Sequence, residues 1–211
     1  GIAQGVDDLL AAQMPGLAAF PDRQVLGEDV IWTGNDRRGF LGSHRLTVAG
    51  RHTVEGPWGP ATGRRLRFRV MADRFAKQNR ISDEWQVTDT AAVLRQMDVE
   101  LQKFARARLE QYDGDEPVFC PEVDVPGPYT GRGNEVTWGL AFEQVLIELM
   151  AGEWQAIRSH YDRACQLVHP GGAERHGLAA AEHFWLELRA ALPDAEFVVH
   201  HRIGIEDAML P

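Results

Sequence analysis

The sequence predicts an α+β fold in which an antiparallel sheet packs against helices. Between Val25 and Trp85, four short segments rich in Val, Ile, Phe and Trp follow one another, separated by Gly, Pro and Asn. This pattern indicates four consecutive strands, which are expected to pair as an antiparallel meander. Helical periodicity then takes over at 89–112 and again from 135 to 191.

Three helical segments carry expectations of their own. Residues 7–19 read as the end of a helix, which Pro15 and Gly16 should break or kink. A helix over 177–191 leads through Pro193 to a final strand. One continuous helix is expected over 89–112, because its apolar residues share one stripe: Ala92, Leu94, Met97, Leu101, Phe104 and Leu109.

A Pro-Asp phrase occurs twice, at 21–22 and 193–194, each time after an apolar helix-like segment. Strands follow the first copy, whereas helices precede the second copy, so the two halves of the chain have opposite order. We therefore expect two partial copies of one domain, the first cut at its start and the second at its end. The predicted boundaries are 1–112 for the first copy, 113–134 for a linker rich in Pro and Gly, and 135–211 for the second copy.

The composition excludes several classes of partner. A net charge of −9 argues against binding to nucleic acid or to an anionic membrane, since both require clustered positive charge. The most apolar run contains Glu143 and Glu148 and is too short to span a bilayer. Cys120 and Cys165 show no metal-binding spacing, and a cytoplasmic location is the expectation. The histidines of the second half lack the i, i+4 spacing of a helical zinc site, so no metal or other cofactor is expected.

Strand alternation selects the first candidates for chemistry. In the segment 41–52, His44, Leu46, Val48 and His52 share one parity, so both histidines lie on an apolar face. An imidazole in a pocket is suited to acid or base catalysis. The competing interpretation is a hydrogen-bonded histidine with a structural role only.

A second set of candidates lies in the segment ISDEW. Ile81, Asp83 and Trp85 share a parity there, which leaves Glu84 on the other face. A carboxylate beside a Trp in an apolar cavity has a raised pKa and is suited to moving a proton. Alternation favours Asp83 as this carboxylate.

Aromatic and histidine side chains supply the candidates for ligand binding. Trp32 and Trp58 are expected at the mouth of a pocket, with core filling as the alternative. His201 shares a parity with Phe197, Val199 and Ile203, so it is expected to face a second pocket. His169 is a further candidate for that second pocket.

Several motifs resemble those of the SnoaL-like domain, part of the nuclear transport factor 2-like superfamily. Within 27–97 they are the turn GPWGPATGR, the strand RISDEW and the helix entry D…LRQ, which resemble the second half of that domain. Within 135–207, YDRACQLVHPGG and FWLELRAALPDAEFVVHHR resemble its first half. The resemblance implies a strongly curved antiparallel sheet wrapped around helices, a cone whose mouth admits a small, largely apolar molecule.

The resemblance also implies positions for catalytic residues. Polyketide cyclases of the family use an acidic residue just before the Trp of the last strand and a His on the preceding strand. The acidic position falls at Glu84 when Trp85 is matched, whereas alternation favours Asp83. The His position falls at Ala72 and lacks an imidazole here, which leaves His44 or His52 to replace it. Trp85 and Ala72 would then line the ligand pocket.

Two functional hypotheses follow. The first is a cofactor-independent enzyme of the cyclase or isomerase type, in which Asp83 or Glu84 and His44 or His52 move protons on a small hydrophobic molecule. The second is a non-catalytic module that holds a ligand or forms a dimer. Because partial sheets expose apolar faces, either helices 135–191 cover the meander 25–87 within one chain, or a partner chain does so in a homodimer.

Overall fold

The computed structural model describes residues 3, 5–111, 133–199 and 201–205. The first half consists of α1 (Gly5–Ala18), β1 (Gln24–Asn35), β2 (Gly39–Arg51), β3 (Arg65–Lys77), β4 (Arg80–Thr88), α2 (Thr90–Gln96) and α3 (Leu101–Glu110). The second half consists of α4 (Thr137–Met150), α5 (Gln155–His160), β5 (Gln166–His169), β6 (Ala173–His176) and α6 (Leu178–Ala191). All but the last two residues of the expected linker at 113–134 lie outside the described residues.

The predicted meander is confirmed, because β1, β2, β3 and β4 pair in that order and every pairing is antiparallel. Residues directly opposite one another in such a sheet point their side chains to the same side. The pairs His44↔Ala72, Leu46↔Val70 and Val48↔Phe68 therefore define one side, called the His44 face here. The pairs Ser43↔Asp73 and Asp73↔Trp85 define the other side, called the Asp73 face.

The main hydrophobic core covers one end of the His44 face. It joins the chain just after α1 to strands β2 and β3 and to helix α2, and its buried members are Ala19, Phe20, Val48, Leu66, Phe68, Val70, Ala92, Val93 and Met97. The other end of the same face is open, with Trp32 57% exposed and Ile81 59% exposed. The fold therefore presents an apolar surface beside its own core.

Two helices differ from their expected extents. Pro15 lies inside α1 and does not break it, since the helix continues to Ala18. The expected helix over 89–112 is divided into α2 and α3. Met97 is buried in the main core, and Asp98 adopts a left-handed φ of 58° that turns the chain away. The burial of Met97, rather than the continuous apolar stripe, therefore determines where α2 ends.

The second half has a core of its own, formed by side chains of α4, α5 and α6: Val145, Leu149, Ala156, Ile157 and Ala181. The expected final strand is absent from the described residues 195–199 and 201–205. There the backbone is held instead by Asn134, whose amide donates to the Arg202 carbonyl and whose side chain bonds both polar backbone groups of Gly204. In the described part of the chain, no helix combines the length and hydrophobicity needed to cross a membrane.

The two halves meet at α2 and on the Asp73 face. The Asp89 carboxylate accepts hydrogen bonds from the amides of Gly171, at 2.7 Å, and Gly172, at 3.1 Å, in the turn between β5 and β6. Arg95 donates to the Gly171 carbonyl at 3.1 Å. Ile203 packs against Leu41 and Phe75, which belong to the Asp73 face. These contacts do not cover the open end of the His44 face.

We predict that Asp89→Ala lowers the free energy of unfolding by about 2–4 kcal/mol, because it removes the cap of a helix and two charge-assisted hydrogen bonds between the halves. Besides the two glycine amides, the Asp89 carboxylate accepts a bond from the Ala92 amide at 3.0 Å at the start of α2. Urea unfolding followed by tryptophan fluorescence measures the loss. The matched control is Asp36→Ala in an exposed turn, expected to change stability by less than about 0.5 kcal/mol. Equal effects of the two substitutions would contradict this prediction.

Candidate functional site

A cavity of about 450 Å³ lies on the open end of the His44 face. All four strands of the meander contribute to its wall, with Val30, Trp32, Phe40, Gly42, His44, Arg74, Ala76 and Ile81. Apolar side chains dominate this lining, and the Trp32 and Phe40 rings contact one another with centroids 5.7 Å apart. Such a wall with a few convergent polar groups is typical of small-molecule sites.

His44 is oriented by the backbone of the neighbouring strand. Its Nδ1 lies 3.3 Å from the carbonyl oxygen of Ala72. A carbonyl only accepts hydrogen bonds, so Nδ1 carries the proton of the neutral ring and Nε2 keeps a lone pair. Gly42 makes room for the ring, because a Cβ at that position would lie 3.1 Å from His44 Cε1. His44 therefore has the tautomer of a base.

Arg74 is the charged residue in the described lining of the cavity, and it is paired with Glu84. They are directly opposite one another on β3 and β4, and Nε of Arg74 donates to Oε2 of Glu84. Their side chains are 26% and 18% exposed, so the pair is largely withdrawn from water. Arg74 was not among the site residues predicted from the sequence. The available signal was its parity, which it shares with Leu66, Phe68 and Val70 on the apolar side of β3.

The alternation in ISDEW does not hold, and Asp83 does not share a face with His44. Ala76 pairs with Ile81, whereas Phe75 pairs with Asp83, so Ser82 is an extra residue that shifts the register. This bulge places Ile81 on the His44 face and both Asp83 and Trp85 on the Asp73 face. Burial raises the pKa of the Asp83 carboxyl. Glu84, rather than Asp83, is the carboxylate on the side of His44.

His52 lies in the main core and not in the cavity. It is fully buried, with its ring 5.3 Å from that of Phe20. Its Nδ1 accepts a hydrogen bond from the Thr62 amide at 3.3 Å. Burial lowers the pKa of His52, which favours the neutral ring. These contacts are those of a structural histidine.

The remaining aromatic and small candidates are divided among the cavity, the core and the other face. Trp32 lines the cavity, as described above. Trp58 packs in the core against Phe20 and Phe68, with centroids 5.6 and 6.3 Å away. Ala72 is fully buried beside His44, and Trp85 belongs to the Asp73 face.

His201 lines a second cavity, of about 300 Å³, on the Asp73 face. Its Nε2 lies 3.2 Å from Oδ2 of Asp73. Burial raises the pKa of Asp73, but hydrogen bonds from His201 and Ser43 outweigh this effect and hold that pKa below its ordinary value. His169 lines neither of these cavities. It stacks on Phe184 at 4.2 Å, and burial together with the charge of Arg175 lowers its pKa.

Among the described residues, no three or more His, Cys, Asp or Glu side chains form a cluster that could hold a metal ion. The imidazole of His44 and the guanidinium of Arg74 line the first cavity, and the guanidinium is paired with the Glu84 carboxylate behind it. This set is suited to moving a proton and to stabilising negative charge on an oxygen atom.

Comparison with known proteins gives a family for part of the chain. Residues 1–97 match the family described as SnoaL-like polyketide cyclase. No curated protein matches the chain. The matched segment contains α1, the whole meander and α2. It therefore contains every described residue that lines the first cavity.

Several solved structures resemble less than half of the chain. AclR from Streptomyces galilaeus, named as a proposed hydroxylase, is 21% identical with a TM-score of 0.39, over 45% of this chain and 68% of its own. TsrD from Streptomyces laurentii is 19% identical with a TM-score of 0.41, over 47% and 71%. IdmH from Streptomyces antibioticus, named as a proposed polyketide cyclase, is 25% identical with a TM-score of 0.37, over 44% and 63%. The chain thus spans less than two thirds of IdmH, and similarities this low carry no argument about activity.

We predict that His52 makes stability depend on pH. Because its pKa is lowered in the folded state, the unfolded state binds the proton more readily, so stability is full above about pH 6.5 and falls as the pH drops toward the folded pKa. His52→Gln keeps an acceptor for the Thr62 amide but does not titrate, and should flatten the slope between about pH 7 and pH 5. Urea unfolding across this range measures that slope.

The control is Phe68→Leu, which weakens the same core without removing a titrating group. It should lower stability at every pH and keep the slope. A slope that is unchanged in His52→Gln, or lost in Phe68→Leu, would show that protonation of His52 is not responsible.

Proposed function

Because residues 1–97 match the SnoaL-like polyketide cyclase family, we propose that the cavity on the His44 face binds a small, largely apolar carbonyl compound and catalyses proton transfer on it without a cofactor. The observation that carries the proposal is the arrangement of His44 and Arg74 on one wall of the cavity. His44 offers a lone pair, and Arg74 offers a fixed positive charge. Trp32, Phe40 and Ile81 supply the apolar surface for the body of the substrate.

In the proposed reaction, Nε2 of His44 removes a proton from the carbon next to the substrate carbonyl. The electron pair of the broken C–H bond moves onto the carbonyl oxygen, and the resulting enolate is stabilised by the Arg74 guanidinium. The enolate then either takes the proton back from His44, at the same carbon to give exchange or at a conjugated carbon to give an isomer, or it attacks a second carbonyl of the same molecule, which closes a ring. In the second case the new alkoxide takes the proton back from His44.

Glu84 acts in this proposal through Arg74. Its ion pair fixes the guanidinium against the wall of the cavity and is itself shielded from water. Because the Glu84 carboxylate is already bonded to Arg74, Glu84 is a positioning residue here rather than the proton donor. This role differs from that of the acidic residue implied by the family resemblance.

A second candidate function is a non-catalytic module that binds a ligand or forms a homodimer. Two observations favour it. Ala72 stands at the position where the family's cyclases have a His, and Glu84, at the acidic position implied by the resemblance, is bound in an ion pair with Arg74. The organisation in two partial copies, with boundaries at 112 and 135, is part of the same proposal. An open apolar face would then be covered by a second chain. Light scattering coupled to size exclusion tests this: the mass of a dimer supports the module, and a monomer at high concentration counts against it.

We predict that the protein accelerates exchange of the α-hydrogens of 2-tetralone with solvent deuterium, followed by proton NMR. His44→Gln should reduce this exchange by about 100-fold or more, the usual loss when a general base is removed. Arg74→Met should also reduce it, because the enolate loses its counter-charge. Circular dichroism checks that each variant is folded.

The neighbouring carboxylates give a matched comparison. Glu84→Gln should reduce exchange, because it frees Arg74, whereas Asp83→Asn, one residue away on the other face, should retain it. The opposite order would place the reaction on the Asp73 face. Exchange at the uncatalysed rate by the wild-type protein would favour the non-catalytic module.

A further inference from the structure

The second cavity lies between the sheet and the second half of the chain. Trp85 comes from β4 and Leu146 from α4, and the rest of the apolar wall is formed by Phe197, Val198 and Val199. The polar groups of the lining are the side chains of Asp73 and His201. This cavity shares no lining residue with the first one, which lies on the opposite face of the sheet.

Asp73 is the acidic group in the described lining of this cavity. The Asp73 carboxylate is 31% exposed and is held in place by hydrogen bonds from His201 and from Ser43, its cross-strand neighbour. A carboxylate offers about four lone-pair positions, so these two bonds leave acceptor capacity for a ligand. Among the residues that the structure describes, no Lys or Arg lines this cavity. An anionic ligand would therefore meet Asp73 without a compensating cation.

His201 is placed to hold Asp73 rather than to react. Its side chain is 11% exposed, and its Nε2 is engaged by the carboxylate. Its Nδ1 is buried, so the ring presents no base to a molecule in the cavity. The pair thus supplies a fixed acceptor at the end of an apolar wall, which is a recognition element and not an acid–base pair.

We propose that this second cavity binds a small organic amine, with the ammonium group on Asp73 and an aryl or alkyl body against Trp85, Phe197 and Val198. An ammonium group donates up to three hydrogen bonds, and its positive charge complements the negative charge of the carboxylate. The faces of Trp85 and Phe197 are further partners for a cation. The net charge of −9 also raises the local concentration of cations around the protein.

The inference is independent of the proposed function on the His44 face. It requires neither His44 nor Arg74, and it holds whether or not the protein is an enzyme. Its test is therefore a binding measurement that makes no use of catalysis.

The experiment compares 2-phenylethylamine with 2-phenylethanol, which has the same body and no positive charge. Binding is followed in the full chain by the indole N–H signal of Trp85 in nitrogen-15 NMR, assigned with Trp85→Phe. Both compounds should shift this signal. The amine should bind about tenfold more tightly, as expected for one added charge-assisted hydrogen bond.

Three variants locate the site. Asp73→Asn retains an acceptor for His201 and should bind the amine no more tightly than the alcohol. Leu146→Trp fills the cavity without changing a charge and should abolish the shifts with both compounds. Glu84→Gln removes the carboxylate of the opposite face and should leave amine binding unchanged.

Equal affinities of the amine and the alcohol for the wild-type protein would overturn the inference, as would unchanged amine binding in both Asp73→Asn and Leu146→Trp. Loss of amine binding in Glu84→Gln would place the amine in the first cavity and equally overturn it. If Asp73→Asn does not fold, the wild-type preference and Leu146→Trp still decide the question.

Discussion

One extra residue in β4 determines which chemical groups meet on each side of the sheet. Because Ser82 has no partner in the register, Glu84 lies opposite Arg74, while Asp83 points to the other side. Without this bulge, counting back from the turn would pair Arg74 with Asp83 instead. The composition of both cavities follows from this register, since Arg74 lines the first and Trp85 lines the second.

Much of the fold was predictable, since four strands with clear punctuation leave few arrangements other than a meander. Alternation also placed His44, Leu46 and Val48 correctly on one face. It failed at ISDEW, because nothing in the residue types marks Ser82 as an inserted position. It failed again at 89–112, where the tertiary burial of Met97 outweighs a helical stripe that continues past it. Arg74 was not predicted, although it shares a parity with Leu66, Phe68 and Val70 on the apolar side of β3.

The two halves of the chain are joined by polar contacts and by one small apolar cluster, in which Ile203 packs against Leu41 and Phe75. Each half has its own cluster of buried side chains, and the Asp89 carboxylate joins them by binding the amides of the turn between β5 and β6. Such a contact is directional, so it fixes where the second half lies on the Asp73 face. The second cavity lies between the sheet and this half, whereas the first lies on the opposite face.

The assignment of side chains to the two cavities depends most directly on the register between β3 and β4. Cross-strand nuclear Overhauser effects in isotopically labelled protein report this register, because residues directly opposite one another in an antiparallel pair lie within about 6 Å at their Cα atoms. We expect contacts from Arg74 to Glu84 and from Ala76 to Ile81. Contacts from Arg74 to Asp83 instead would place Asp83 on the His44 face and Glu84 on the Asp73 face. That result would contradict the assignment of both cavities.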